Sequence, residues 1–179
     1  MLSRRVRSLL GLAGAVLALV VVNASIAGKE RLLERGRVVY LELAPVDPRS
    51  LMQGDYMRLD YAIAADIRRV LPKRQEARPW LPELAPADGR AVVRLDERSV
   101  ARFVRLYDGG PLAADEALLR FRVRGGELRF ASDAFYFQEG TAADYEPARY
   151  GRYRVAPDGD LLLTALHDQN LGQLPAGSQ

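Results

Sequence analysis

The sequence predicts a mainly β domain, a small antiparallel barrel or sandwich with one short helix, behind an N-terminal transmembrane helix. Three observations predict it. A 19-residue stretch without a charge, Leu9–Ala27, lies close to the N-terminus. From Arg37 onward, apolar residues recur at a period of two in short runs. Turn residues separate those runs, and Gly125-Gly126 is the strongest hairpin signal among them. With 179 residues, 49% hydrophobic and 27% charged, the chain has the size and composition of one globular domain with appendages.

The first element is the apolar stretch. At 1.5 Å per residue it reaches about 28 Å, just enough for a hydrocarbon core of about 30 Å. Arg4, Arg5 and Arg7 precede it and no acid does. That asymmetry predicts a cytoplasmic N-terminus and an exported remainder, a single-pass protein of the cytoplasmic membrane with an extracytoplasmic domain. Ser25-Ile26-Ala27 also fits the small-x-small cleavage site of a signal peptide. The length of the stretch favours a retained anchor. Lys29–Gly36 then reads as a helical connector stopped by glycine. The resulting plan is residues 1–28 as tip and anchor, 29–36 as connector and 37–179 as exported domain.

Within that domain, Arg37–Ala44 reads as a strand with Val39, Leu41 and Leu43 on one face. Asp47 to Gly54 reads as a compact turn: Asp47 caps free amides, Pro48 suits a first helical position, and Gly54 permits a left-handed exit. Asp55–Tyr61 restarts a strand, with Met57, Leu59 and Tyr61 facing the core and Tyr56, Arg58 and Asp60 facing away. Ile63, Ile67, Val70 and Leu71 fall at helical spacing and Pro72 ends that helix. A long proline-rich loop with Trp80 runs from Pro72 to Gly89. Further strands are expected at Ala91–Leu95, Val100–Tyr107, Leu118–Arg124, Glu127–Ala131 and Ala134–Gln138. Glu139–Arg149 reads as a loop or helical turn. A last hairpin, Gly151–Ala156 with Leu161–Leu166, turns at Pro157-Asp158-Gly159-Asp160.

Charge and composition exclude several classes. Three of the 26 bases sit in residues 1–28, and the remaining 23 match the 23 acids, so the exported part has no basic excess. The alternation of Arg120, Arg122 and Arg124 with Leu119, Phe121 and Val123 is that of a solvated strand face, and no nucleic-acid partner is expected. The absence of cysteine removes disulfides, thiol nucleophiles and thiolate metal sites. His167, the only histidine, follows an apolar strand and reads as a surface or capping residue. Asp158 and Asp160 lack the further oxygens of a calcium loop, and no glycine loop precedes a nucleotide-binding lysine. No metal, cofactor or catalytic residue is assigned.

The most specific segment is Gly54-Asp55-Tyr56-Met57-Arg58-Leu59-Asp60-Tyr61. With Asp47, Arg49, Ser50 and Gln53 before it, this block resembles the central motif of the bacterial GDYXXLXY proteins. Asn23, Ile26, Lys29-Glu30 and Gly36 resemble that family's juxtamembrane pattern. Gln138-Glu139-Gly140, Tyr145, Ala148, Tyr150-Gly151 and Val155 resemble its second block. The resemblance implies a membrane-anchored protein encoded beside multi-spanning membrane proteins, and it supplies no catalytic assignment. Read from the residues, Gly54 and Asp55 serve a turn, Leu59 and Tyr61 the core, and Tyr56 a surface contact. A site is expected where this turn meets Gln138, Glu139 and Gly140.

Three functions follow. The favoured one is a non-enzymatic accessory domain, held by residues 9–27 and working with a multi-spanning membrane partner. The second is an extracytoplasmic domain that binds a ligand or envelope polymer. The third is a serine hydrolase or degenerate relative, because Ser50 to Asp55 is similar to the serine block of type I signal peptidases. Such an enzyme needs a lysine base beside the serine. Lys29 and Lys73 are the only lysines, and neither lies in a predicted strand.

Overall fold

The computed structural model describes residues 4–44, 52–53, 56–72 and 84–175. It divides into two units, Met1–Arg35 and Gly36–Gln179. The first unit is one unbroken helix, α1 (Arg4–Arg35), which stops immediately before Gly36. Its segment Ala13–Arg35 is long and apolar enough to cross a membrane. Val16, Leu17, Val20 and Val21 are more than half exposed along it, an arrangement that water penalises and lipid does not. Asn23 turns its amide back onto the Leu19 carbonyl at 2.8 Å, so the helix itself satisfies one of its donors.

The second unit is mainly strand, as its period-two patterning dictates. Its elements are β1 (Arg37–Glu42), β2 (Met52–Gln53), β3 (Tyr56–Arg58), α2 (Ala62–Val70), β4 (Ala87–Leu95) and β5 (Ala101–Leu106). There follow β6 (Glu116–Arg124), β7 (Glu127–Arg129), β8 (Ala134–Tyr136), a 3-10 turn (Ala142–Tyr145), β9 (Tyr150–Val155) and β10 (Leu161–His167). Among the described residues three antiparallel sheets result, ordered β1-β9-β10, β2-β3-β8 and β5-β4-β6-β7. Backbone bonds carry one sheet into the next. Tyr40 N–H donates to the Ser99 carbonyl at 2.9 Å, Ala44 N–H to that of Asp60 at 2.8 Å, and Arg120 N–H to that of Gly159 at 2.8 Å. The sheets therefore curl into a half-barrel.

One core fills that half-barrel. Val39 and Leu41 are fully buried, and Met57, Leu59 and Tyr61 share the buried face expected of alternation. α2 closes one side through Ile63, Ala64 and Ile67. The β6–β7 hairpin turns on Gly125 and Gly126, both at positive φ (61° and 82°), the geometry a type I′ turn requires.

The structure corrects several expectations. Val70 follows the helical spacing yet is 52% exposed, whereas Leu71, just past the helix end, is buried. β2 occupies Met52–Gln53 inside the expected turn, and Gln53 pairs with Tyr56, so only Gly54 and Asp55 join the two strands. β4 begins at Ala87 rather than Ala91, incorporating Gly89. Phe121 covers that glycine, and a Cβ there would come within 2.6 Å of its ring. β7 and β8 are shorter than expected and end at Arg129 and Tyr136. Most of the expected turn Asp47–Gly54, and Trp80, lie outside the described residues.

Core position predicts stability. Leu59→Ala is expected to cost about 2–5 kcal/mol, because Leu59 is 4% exposed in the core. Val70→Ala is expected to change stability by less than about 0.5 kcal/mol. Urea denaturation of both variants measures the contrast.

Candidate functional site

The central motif enters the fold on β3. Register places Tyr56 opposite Tyr136, Met57 opposite Phe135 and Arg58 opposite Ala134. Two segments eighty residues apart in sequence are thus adjacent strands. Tyr56 is half-buried and its ring tilts against Tyr136, with centroids 5.8 Å apart. Tyr136 is 71% exposed, the most open large aromatic side chain among the described residues.

Beyond β3 the motif bends inward. Leu59 N–H donates to the Asp133 carbonyl at 2.9 Å, which extends the β3–β8 pairing by one bond. Tyr61 is buried, and its hydroxyl donates to the Ser132 carbonyl at 3.0 Å. That uses its only proton, so the Tyr153 hydroxyl donates to the Tyr61 oxygen in a short hydrogen bond. Phe130 packs edge-on against the Tyr61 ring at 5.4 Å. Burial pushes the Tyr61 phenol far above its ordinary range, and burial together with Tyr61 does the same to Tyr153.

Between β3, α2, β7 and the start of β8 lies an open groove of about 1190 Å³. Its floor includes Leu59, Tyr61 and Phe130, and Tyr56 stands on its wall. Its rim is charged. Arg58 lies 3.6 Å from both Asp60 and Glu127, and Arg129 contacts Glu127 at 2.8 Å and Asp133 at 2.9 Å. The guanidinium of Arg129, and then those of Arg58 and Arg68, hold the Glu127 carboxyl below the usual carboxylate range. These groups are about half exposed, so the ladder sets charge pattern more than stability. Arg68, on α2, lines the groove with neither a hydrogen bond nor an ion pair among the described residues.

Tyr56, Leu59 and Tyr61 all line the groove. Gln138, Glu139 and Gly140 continue from β8 as an exposed turn outside the groove, closed by Thr141 N–H onto the Gln138 carbonyl at 3.1 Å. Gly140 holds a φ of 84° there, as the third position of a type II turn demands. Gln53 pairs with Tyr56 through its backbone. Asp47, Arg49, Ser50, Gly54 and Asp55 lie outside the described residues. Arg58, Arg68, Arg69 and Arg129, which the sequence did not single out, supply the groove's positive charge, and only their placement around it marks them. No serine–lysine pair occurs among the described residues, and Lys29 is exposed on α1.

His167 is corrected. It is 4% exposed, with its ring edge-on to Tyr40 at 5.1 Å. Nδ1 lies 3.0 Å from the Leu171 carbonyl and donates to it, so the ring does hold the following turn, but from inside.

A GDYXXLXY protein family model matches residues 18–166. The chain belongs to the GDYXXLXY family. No curated protein and no solved structure matches it. The match covers both β3 with its partner β8 and most of α1. In this GDYXXLXY protein the final motif tyrosine is a buried hydrogen-bonding strut, and the first stands at the groove.

The hydroxyl chain yields an asymmetric prediction. Tyr61→Phe strands both the Ser132 carbonyl and the Tyr153 donor and is expected to cost about 1–3 kcal/mol. Tyr153→Phe leaves the Tyr61 bond to Ser132 intact and is expected to cost about 0.5–1.5 kcal/mol. Because both folded phenols titrate above their unfolded value of about 10, their contribution is complete below that pH and is lost as pH rises beyond it. Stability measured from pH 8 to 11.5 is expected to fall above pH 10, less steeply in either variant.

Proposed function

We propose that this GDYXXLXY protein is a membrane-anchored interaction domain that works with an integral membrane partner. α1 serves as the retained anchor, with its N-terminus in the cytoplasm and the half-barrel outside it. The groove beside β3 and β8 receives a polypeptide segment of the partner. The carrying observation is that groove, lined by Tyr56 and rimmed by the Asp60–Arg58–Glu127–Arg129–Asp133 ladder.

Its physical character favours a polypeptide. Small-molecule sites are enclosed, mostly apolar and of roughly 300–1,000 Å³. This groove is open, larger and edged by alternating charges that select a partner by complementarity. The exposed Tyr136 against Tyr56 favours a second reading, an envelope polymer whose rings stack on the aromatic pair.

Two expected outcomes test the proposal. A reporter active only outside the cytoplasm, fused after Gln179, should be active, and activity of a cytoplasmic reporter there would reverse the topology. Purification of the full chain from native membranes should carry a multi-spanning protein with it. The double variant Arg58→Glu, Arg129→Glu should lower that yield by about tenfold or more while changing the melting temperature by only a few degrees. An unchanged yield would refute the groove as the docking site.

A further inference from the structure

The exposed face of the β5-β4-β6-β7 sheet holds charges that the groove does not use. Register sets Arg90 of β4 directly opposite Arg120 of β6 and Arg94 of β4 opposite Arg102 of β5, while Arg122 of β6 stands between Asp88 of β4 and Arg129 of β7. Like charges in directly opposed positions weaken a sheet, and a face needing only solubility is better served by alternating signs. Part of this charge is compensated. Arg94 reaches Asp115 at 3.2 Å, Arg105 reaches Asp108 at 3.3 Å, Arg120 reaches Asp160 at 3.1 Å and Arg124 reaches Asp88 at 2.9 Å. Arg90, Arg102 and Arg122 are exposed, and their guanidinium groups have no hydrogen bond or ion pair among the described residues.

We propose that this arginine face docks onto anionic phospholipid headgroups of the membrane that holds α1. Two observations select that occupant. Guanidinium groups without carboxylate partners match phosphate in charge and in bidentate geometry. The strand that follows α1 is also bonded to this sheet. β1 begins at Arg37, two residues after Arg35, and its Nη1 donates to the Glu116 carbonyl at 2.9 Å, where Glu116 pairs with Arg94 in the β4–β6 register. Covalent attachment to α1 keeps headgroups at high effective concentration around the domain, so weak contacts suffice. Each arginine near an anionic surface strengthens docking by about fivefold, and three together by about two orders of magnitude.

The chain has no cysteine, so a single one can carry a fluorophore. Val104, the extra residue of the β5 bulge, is 38% exposed beside Arg105 and is the position for Val104→Cys. The full chain, one copy per nanodisc, is compared in discs of pure phosphatidylcholine and of phosphatidylcholine with phosphatidylglycerol, each with headgroup-region quencher lipid. Quenching is expected to be several-fold stronger in the anionic discs. It should collapse in 1 M salt, where screening shrinks to about 3 Å, and in the Arg90→Gln, Arg102→Gln, Arg122→Gln variant. A fluorophore at Glu139→Cys, on the exposed turn after β8, should show no such dependence. Equal quenching in both lipids, or quenching unaffected by salt, overturns the proposal without requiring any arginine variant to fold. Quenching that appears only with two copies per disc assigns the face to a second copy and also overturns it.

Discussion

The hydrogen-bonded chain from Tyr153 through Tyr61 to the Ser132 carbonyl ties together three parts of the fold that backbone bonds join only at their edges, between Leu43 and Tyr61 and between Leu59 and Asp133. Tyr153 belongs to the β1-β9-β10 sheet, Tyr61 follows β3, and Ser132 lies in the corner between β7 and β8. A part-buried carbonyl and two buried phenols each need a partner, and this arrangement meets all three with two protons. The corner at Ser132 separates β7 from β8. That separation leaves the two consecutive strands unpaired with each other and sends β8 to β3. The groove occupies the resulting gap. Its existence therefore depends on a buried strut that contributes nothing to its charged rim.

This dependence gives the motif a physical division of labour. Met57, Leu59 and Tyr61 are buried and hold the half-barrel together, the latter two also flooring the groove, while Tyr56 and Arg58, on the opposite face of the chain, border it. Strand alternation imposes that division, because a one-residue slip would exchange the two sets. The charged ladder from Asp60 to Asp133 is then fixed by backbone register rather than by its own attraction, since exposed ion pairs contribute little stability.

Much of this was legible in the sequence. The alternation of Met57, Leu59 and Tyr61, the apolar run of α1 and the Gly125-Gly126 hairpin each rest on local chemistry. The Tyr56–Tyr136 pairing was not legible, because nothing local joins residues eighty positions apart and β8 is only three residues long. The start of β4 was hidden because Gly89 contributes no side chain to the alternation, and its place in a strand depends on Phe121 covering it. Val70 satisfied helical spacing but sits on the last turn of a nine-residue helix, past the edge of the surface it packs against. His167 looked like a surface residue because its burial depends on Tyr40, from a strand more than a hundred residues earlier. For the groove, Tyr56 stood out, but Arg58, Arg68 and Arg129 resembled any other solvated arginines until the fold gathered them.

The central claim is that the β3–β8 groove is where a membrane partner engages. The most direct measurement is site-specific photocrosslinking in native membranes, with the photoreactive group at Tyr136 beside the groove and, separately, at Leu112, an exposed position on the β5–β6 loop. The account predicts one dominant adduct with a multi-spanning membrane protein from position 136 and none from position 112. Equal adducts from both positions, or an adduct confined to position 112, would contradict it.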